Sequence, residues 1–307
     1  MMKQTEQPAG QSVFIKRYAS YQSRVEQALP AFVGTGKEEA GGTAAEAAFY
    51  SLLAGGKRIR PVLLMATAEM LGRQSNDLLP FACAQEMIHT YSLIHDDLPC
   101  MDDDDLRRGR PTCHIVYGEA IAVLAGDYLL NKAYETLLAA INLKKPASLE
   151  AARLIARAAG GHGMIGGQVL DLAAEKRQLK ADELQSLHLK KTGALIVAPV
   201  EAAAVLAGAL PTVRQTLVRY AQAIGLAFQI RDDILDVTAS QPELGKSTGK
   251  DERDGKSTYV SLFGLEQAEK LLESTSRTAL EQLEQLDETL DKSFLMALTA
   301  YLLTRGK

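Results

Sequence analysis

What the chain has little of narrows its class before any motif is read. It carries three cysteines among 307 residues, Cys83, Cys100 and Cys113. So odd and scattered a set fits reduced thiols, not a disulfide framework or a zinc site. No run of about eighteen apolar residues exists to span a bilayer. Basic residues are not in excess, with 34 Lys and Arg against 38 Asp and Glu and a net charge of -4, which argues against a nucleic-acid surface. Alternating β-branched runs are nearly absent. The stretch from Met1 to Gln11 is polar and lacks the apolar core of a secretory leader. It reads as a loose tail, and the expected compartment is the cytoplasm.

What is present is apolar and in helical register. Hydrophobic residues make up 47% of the chain, enough for a substantial core, and no linker divides it. Ala- and Leu-rich segments with apolar residues three and four apart recur from Val13 onward, so the expected fold is all-α. A flexible tail over residues 1–10 and a single domain over 11–307 are expected. The pattern predicts helices near 11–29, 43–54, 60–71, 77–97, 118–141, 148–159, 164–175, 181–207, 212–236, 256–287 and 291–305, with Gly- or Pro-bearing turns between them.

The densest chemistry is Asp96-Asp97-Leu98-Pro99-Cys100-Met101-Asp102-Asp103-Asp104-Asp105-Leu106-Arg107-Arg108-Gly109. Six carboxylates fall within ten positions at the end of an apolar stretch, Phe81 to Leu93, and two arginines follow. A helix C-terminus already carries partial negative charge and should prefer Lys or Arg, so acids there need a positive partner. Alone, the run reads either as a solvated loop or as a site for hard divalent cations shared with a polyphosphate. A second cluster changes that balance. In Phe228-Gln229-Ile230-Arg231-Asp232-Asp233-Ile234-Leu235-Asp236, the residues Gln229, Asp232, Asp233 and Asp236 line one face at the end of another long helix, and Lys246, Lys250 and Lys256 follow. Two carboxylate faces turned towards each other repel strongly in low dielectric unless cations lie between them. Divalent metals with a polyphosphate would balance the charge, Lys and Arg taking the remaining phosphate oxygens.

The other signals are individually weaker. Gly55-Gly56-Lys57-Arg58-Ile59-Arg60-Pro61 puts Lys57 and Arg60 at a helix N-terminus, an anion site or else a basic surface turn. Gln85, His89, Ser92 and Asp96 share one face of the next helix, where His89 either donates to the same anion or is a satisfied core histidine. Glu86 and His89 also spell the Glu-x-x-His of di-iron bundles, but that site needs a second copy and none is present. Tyr91 lies five residues before Asp96, roughly 7.5 Å along the helix and about 140° around it, so it is either the floor of a cavity or a core tyrosine. Asp127 reads as a hydrogen-bonded structural acid in an apolar helix. Gln168 and Asp171 share a face, and Lys191-Thr192-Gly193 precedes Pro199, where a kink would turn Lys191 inward.

Taken together, these residues resemble the trans-prenyltransferase family of isoprenyl diphosphate synthases, from about Gly55 to Lys256. The resemblance implies an all-α bundle of about ten or more helices around a large central cavity, the isoprenoid synthase fold. It implies that Asp96, Asp97 and Asp102, with Asp232, Asp233 and Asp236, bind three Mg²⁺ that clasp the diphosphate of an allylic substrate. Mn²⁺ is the alternative metal. Arg107, Lys191 and Lys256, with Lys246, match positions that hold that diphosphate. Lys57, Arg60, His89 and Arg108 match those for isopentenyl diphosphate, and Arg305 and Lys307 resemble a basic tail that folds over that site. Four residues between the Asp pair and Asp102 resemble the bacterial and plastid type. An aromatic at Tyr91, beside Ser92, is typical of bacterial farnesyl diphosphate synthases, and a homodimer is implied.

No side chain looks like a nucleophile activated by a base. The expected chemistry is ionisation of the allylic diphosphate, attack by the alkene of isopentenyl diphosphate, and loss of a proton to the departed diphosphate. Thr192 and Gln229 are candidates to steady the cation. Dimethylallyl and then geranyl diphosphate would be the allylic substrates. The rivals are a geranylgeranyl or geranyl synthase, a silent partner subunit, which would be expected to lose one Asp motif, and a terpene cyclase, which needs no Lys57/Arg60 site.

Overall fold

A computed structural model describes residues 9–34, 41–174, 177–238 and 256–304. The chain forms α1 (Ala9–Val33), α2 (Gly42–Leu52), α3 (Ile59–Met70) and, after a 3-10 turn at Asn76–Leu78, α4 (Leu79–Asp96). A two-stranded hairpin follows, β1 (Leu106–Arg107) and β2 (Arg110–Pro111). Next come α5 (Cys113–Tyr117), α6 (Glu119–Ala139), α7 (Pro146–Ala159), α8 (Met164–Ala174) and α9 (Ala181–His188). A π-turn at Leu189–Gly193 leads into α10 (Ala194–Leu206) and α11 (Pro211–Thr238). The remainder is α12 (Tyr259–Phe263), α13 (Leu265–Glu284) and α14 (Ser293–Thr304).

The bundle is built around α4. Eight successive residues, Phe81 to Ile88, are buried, which a helix achieves only when it is covered on all sides. Its neighbours include α1, α2, α3, α6, α7 and α10, while α11 pairs along its length with α13. The main core gathers Val25, Leu29, Leu64, Met87, Ile88 and Leu129. A smaller cluster of Leu184, Leu187, Ile230, Ile234, Tyr259 and Leu272 lies below the second Asp motif. Among the described residues no helix is long and apolar enough to cross a membrane, and all three cysteines are free thiols.

The all-α expectation holds, and the departures have local causes. The helix expected over 256–287 is broken at Gly264, whose φ of +79° ends α12 and begins α13. The one expected over 181–207 is interrupted by the π-turn. Pro199 lies within α10, so the distortion at Lys191 comes from the extra residue of the π-turn and not from a proline kink at that point. Asp127, expected to be a hydrogen-bonded structural acid in an apolar helix, is exposed near Val123 and Leu124, which are exposed too.

One buried ion pair ties the entry of α3 to α4. Arg58, with φ of +51°, donates to Glu86 at 2.7 Å and to the Leu52 carbonyl at 2.7 Å, and both charged side chains are almost wholly buried. Glu86 is therefore occupied by arginine, which removes the acid from the Glu-x-x-His pattern. Arg58→Ala strands the Glu86 carboxylate and is expected to cost about 3–5 kcal/mol in urea unfolding, whereas the paired change Arg58→Met with Glu86→Leu costs far less.

Candidate active site

The end of α4 shows how an acidic run is held at a helix C-terminus. The loop beyond Asp97 turns back, and its backbone N–H groups cap the last carbonyls: Asp102 to Asp96 at 2.8 Å, Asp103 to Leu98 at 3.1 Å and Asp104 to Asp97 at 3.2 Å. Four residues between the Asp pair and Asp102 make that return possible. Arg107 donates to Asp97 through Nε at 2.9 Å and through a terminal nitrogen, which also reaches Asp104 at 3.2 Å. Burial raises the Asp97 carboxyl above its usual range, and Arg107 opposes the rise. Burial also lifts Asp96, to about 6, with Asp102 and Asp97 pushing the same way and Lys191 and Arg107 pulling it down.

The hairpin separates two adjacent arginines. Arg108 and Gly109 at its turn have φ of +57° and +74°, as a tight two-residue connection requires. Arg107 thereby faces the acids, while Arg108 crosses Gly56 and donates to the Gly55 carbonyl. Arg60 is buried, and burial together with Arg108 lowers it to about 10 against the pull of Glu86 and Asp232. Its Nε has no hydrogen-bond partner among the described residues. His89 is held well below the ordinary histidine range by burial and then by Arg60, Arg108, Arg107 and Arg58. A neutral imidazole among four guanidinium groups is a cationic cluster suited to an anion.

On the opposite side, Lys191 in the π-turn donates to Asp171 at 2.6 Å. Helix α8 comes so close here that a Cβ on Gly167 would strike the Lys191 backbone. The Thr192 hydroxyl donates to Gln229 Oε1 at 3.1 Å, Gln229 donates to Asp233 at 3.0 Å, and the Tyr259 backbone N–H donates to the other Asp233 oxygen at 2.8 Å. The segment after the second motif is pinned residue by residue. Lys256 reaches Asp102 at 3.1 Å, Ser257 accepts from the Leu179 N–H at 3.0 Å, and Thr258 caps α12. Lys256 thus joins the first Asp motif to the segment beyond the second.

Of the expected site residues, the structure groups Arg60, His89 and Arg108 on one side, with Lys57 in the loop that leads into α3. It groups Asp96, Asp97, Asp102, Arg107, Lys191 and Lys256 in the middle, and Gln229, Asp232, Asp233 and Asp236 along α11, with Thr192 of the π-turn bonded to Gln229. Lys246, like Lys250, Arg305 and Lys307, lies outside the described residues. Tyr91 is 5% exposed, its ring stands edge-on to His95 at 5.7 Å, and its hydroxyl has no partner among the described residues. Ser92 donates back to the His89 carbonyl at 2.8 Å. Sequence reasoning missed Tyr259 and Ser257, although Thr258 and Ser261 spell a cap three residues apart that marks where α12 begins. It noticed Asp171 without its partner Lys191.

Among the described residues no three acids, histidines or cysteines converge as a metal site. Asp97 is turned to Arg107, Asp102 to Lys256, and Asp233 to Gln229 and Tyr259. The donor set nonetheless fits a hard cation: it is carboxylate oxygen throughout, and Asp96, crowded by Asp102 and Asp97, gains from added positive charge.

Comparison with known proteins gives the family. A family model described as polyprenyl synthetase matches residues 43–294. The chain is 48% identical over 267 residues to the farnesyl diphosphate synthase of Escherichia coli (strain K12), covering 84% of this chain and 88% of that one. It is 46% identical over 267 residues to the heterodimeric geranylgeranyl pyrophosphate synthase large subunit 1, chloroplastic, of Arabidopsis thaliana, covering 85% and 71%. The apo structure of an FPP/GFPP synthase from Zymomonas mobilis matches with a TM-score of 0.84 at 34% identity, covering 95% of this chain and 99% of that one. The all-α architecture is thus the isoprenoid synthase fold. Within that class the chain belongs to the polyprenyl synthetase family and is a prenyltransferase, a trans-prenyl diphosphate synthase.

Because Gly167 abuts the Lys191 backbone, Gly167→Ala should cost about 1–3 kcal/mol by overpacking. This outweighs the roughly 0.5–1 kcal/mol gained in helix propensity. Thermal unfolding should show a net loss, and turnover should fall about a hundredfold as Lys191 is displaced.

Proposed function

We propose that the protein is a farnesyl diphosphate synthase, condensing isopentenyl diphosphate with dimethylallyl and then geranyl diphosphate. The observation that carries the fifteen-carbon product is Tyr91, a buried aromatic five residues before Asp96 and packed against His95. Its ring would form the floor against which the growing chain stops. The likeness to a farnesyl diphosphate synthase at 48% identity supports the same reading. A geranylgeranyl product is the second reading, favoured by the likeness to the Arabidopsis large subunit.

Asp96, Asp97, Asp102, Asp232 and Asp236 would hold Mg²⁺, with Asp233 joining through lone pairs not used by Gln229 and Tyr259. When bound, the metal supplies Lewis-acid stabilisation of diphosphate charge. Arg107, Lys191 and Lys256 exchange their carboxylate partners for oxygens of the allylic diphosphate and stabilise it as the C–O bond breaks. Lys57, Arg60, His89 and Arg108 hold the second diphosphate, His89 donating as a neutral imidazole. Thr192 spends its proton on Gln229, so its oxygen lone pairs are left to steady the allylic cation. The alkene of isopentenyl diphosphate attacks that cation, and the proton lost goes to the departed diphosphate. A homodimer in the cytoplasm completes the proposal.

A product assay tests it: isopentenyl diphosphate with dimethylallyl, geranyl or farnesyl diphosphate and Mg²⁺, the products separated by chain length after hydrolysis. Farnesol from the first two and nothing longer is expected, while a C20 product overturns the chain-length assignment. Tyr91→Ala should shift the main product beyond C15. Chelation by EDTA, or Asp96→Ala, should lower turnover by about a thousandfold or more, as the loss of several kcal/mol of charge stabilisation implies.

A further inference from the structure

Three successive carbonyls in the loop before α3 are each captured by a separate side chain. Arg108 donates to Gly55, the Gln22 amide donates to Gly56 at 2.8 Å, and the Tyr18 hydroxyl donates to Lys57. Tyr18 and Gln22 are one turn apart on α1, so one helix face holds two of the three. The loop backbone has φ of +82° at Gly55, +134° at Gly56 and +51° at Arg58, the last a conformation that L side chains rarely adopt. A Cβ on Gly56 would lie 2.7 Å from the Arg108 guanidinium carbon, so a side chain there would displace the tip of Arg108. In a trans peptide the N–H points opposite to the carbonyl. Fixing these carbonyls towards α1 and the hairpin therefore turns the N–H groups of Gly56, Lys57 and Arg58 the other way. The Tyr18 ring is itself set between Phe14 at 5.8 Å and Tyr301 of α14 at 5.9 Å.

We propose that Tyr18 and Gln22 are positioning residues for the non-allylic substrate, holding the Gly55–Lys57 loop so that Lys57, Arg60 and the loop N–H groups meet the diphosphate of isopentenyl diphosphate. The inference rests on the assignment of Lys57 and Arg60 to that diphosphate. It predicts an effect confined to one of the two substrates, because Tyr18 and Gln22 donate to the Lys57 and Gly56 carbonyls, whereas Lys191 and Lys256 on the allylic side donate to Asp171 and Asp102. Two hydrogen bonds that merely fastened α1 to the core would instead lower stability and affect both substrates alike.

Steady-state kinetics of the full chain separate these cases. With Tyr18→Phe or Gln22→Leu, the KM for isopentenyl diphosphate should rise about fivefold, the scale of one hydrogen bond. The KM for geranyl diphosphate and kcat at saturation should stay within about twofold. On a Lys57→Ala background, Tyr18→Phe should raise the KM for isopentenyl diphosphate less than in the parent chain, since only Arg60 and the loop N–H groups remain to be positioned. An unchanged KM for isopentenyl diphosphate in both single variants, or equal rises for both substrates, overturns the positioning role. If Lys57→Ala itself leaves the KM for isopentenyl diphosphate unchanged, the subsite assignment fails and the inference falls with it. If Lys57→Ala raises that KM and neither Tyr18→Phe nor Gln22→Leu does, the positioning role alone is lost. Tyr18→Phe keeps the ring packing, so its result stands even where Gln22→Leu proves unstable.

Discussion

Carboxylates gathered in a low-dielectric interior cannot stay ionised side by side without cations between them, and the architecture around the two Asp-rich helix ends answers to that constraint. Arg107 is drawn onto Asp97 and Asp104, Lys256 onto Asp102, and Lys191 onto Asp171. Each of these cations comes from a different element. Arg107 depends on a hairpin, Lys191 on a π-turn and Lys256 on a segment sewn down by its next three residues. Asp96, buried and crowded by Asp102 and Asp97, is lifted to about 6 although Lys191 and Arg107 pull it down. Charge balance thus links local irregularities that would otherwise seem unrelated.

The same pairs suit the chemistry proposed for the site. A ligand carrying diphosphate does not have to enter a region of bare charge. It exchanges partners with lysines and arginines already neutralised, which avoids much of the desolvation that burying a new ion would demand. On the opposite side the balance is reversed. Arg60 and Arg108 crowd one another, burial lowers both, and His89 stays neutral among them. Cations are in excess around His89 and carboxylates around Asp96, a polarity that suits two diphosphates held for two roles.

Much of this could be read in the residues themselves. Apolar periodicity gave the all-α class, and glycines and prolines marked most helix ends to within a few positions. Two Asp clusters at the ends of long apolar helices point to cations and phosphate by themselves, because like charges in an interior need an explanation. The errors fell where periodicity carries no information. A π-turn preserves the helical pattern of apolar residues on either side of it, so 181–207 read as one helix. Gly264 looked like a residue within a helix until its φ of +79° showed a break. Asp127 read as a structural acid because its helix is apolar, but Val123 and Leu124 near it are themselves exposed.

Pairing was the other thing hidden. Arg58 and Glu86, Lys256 and Asp102, and Tyr18 and the Lys57 carbonyl are separated by 28, 154 and 39 positions. Nothing in local pattern says which acid will meet which base across such distances. The sequence by itself determined the inventory: helices, where the charge lies, and which residue types could bind metal and diphosphate. Tertiary structure alone decided that Arg107 faces the acids while Arg108 turns back over Gly56, that Asp233 is held by Gln229 and Tyr259, and that α1 reaches the loop before α3. Those choices depend on distances between elements far apart in the chain, which follow from how the helices pack and not from the order of their residues.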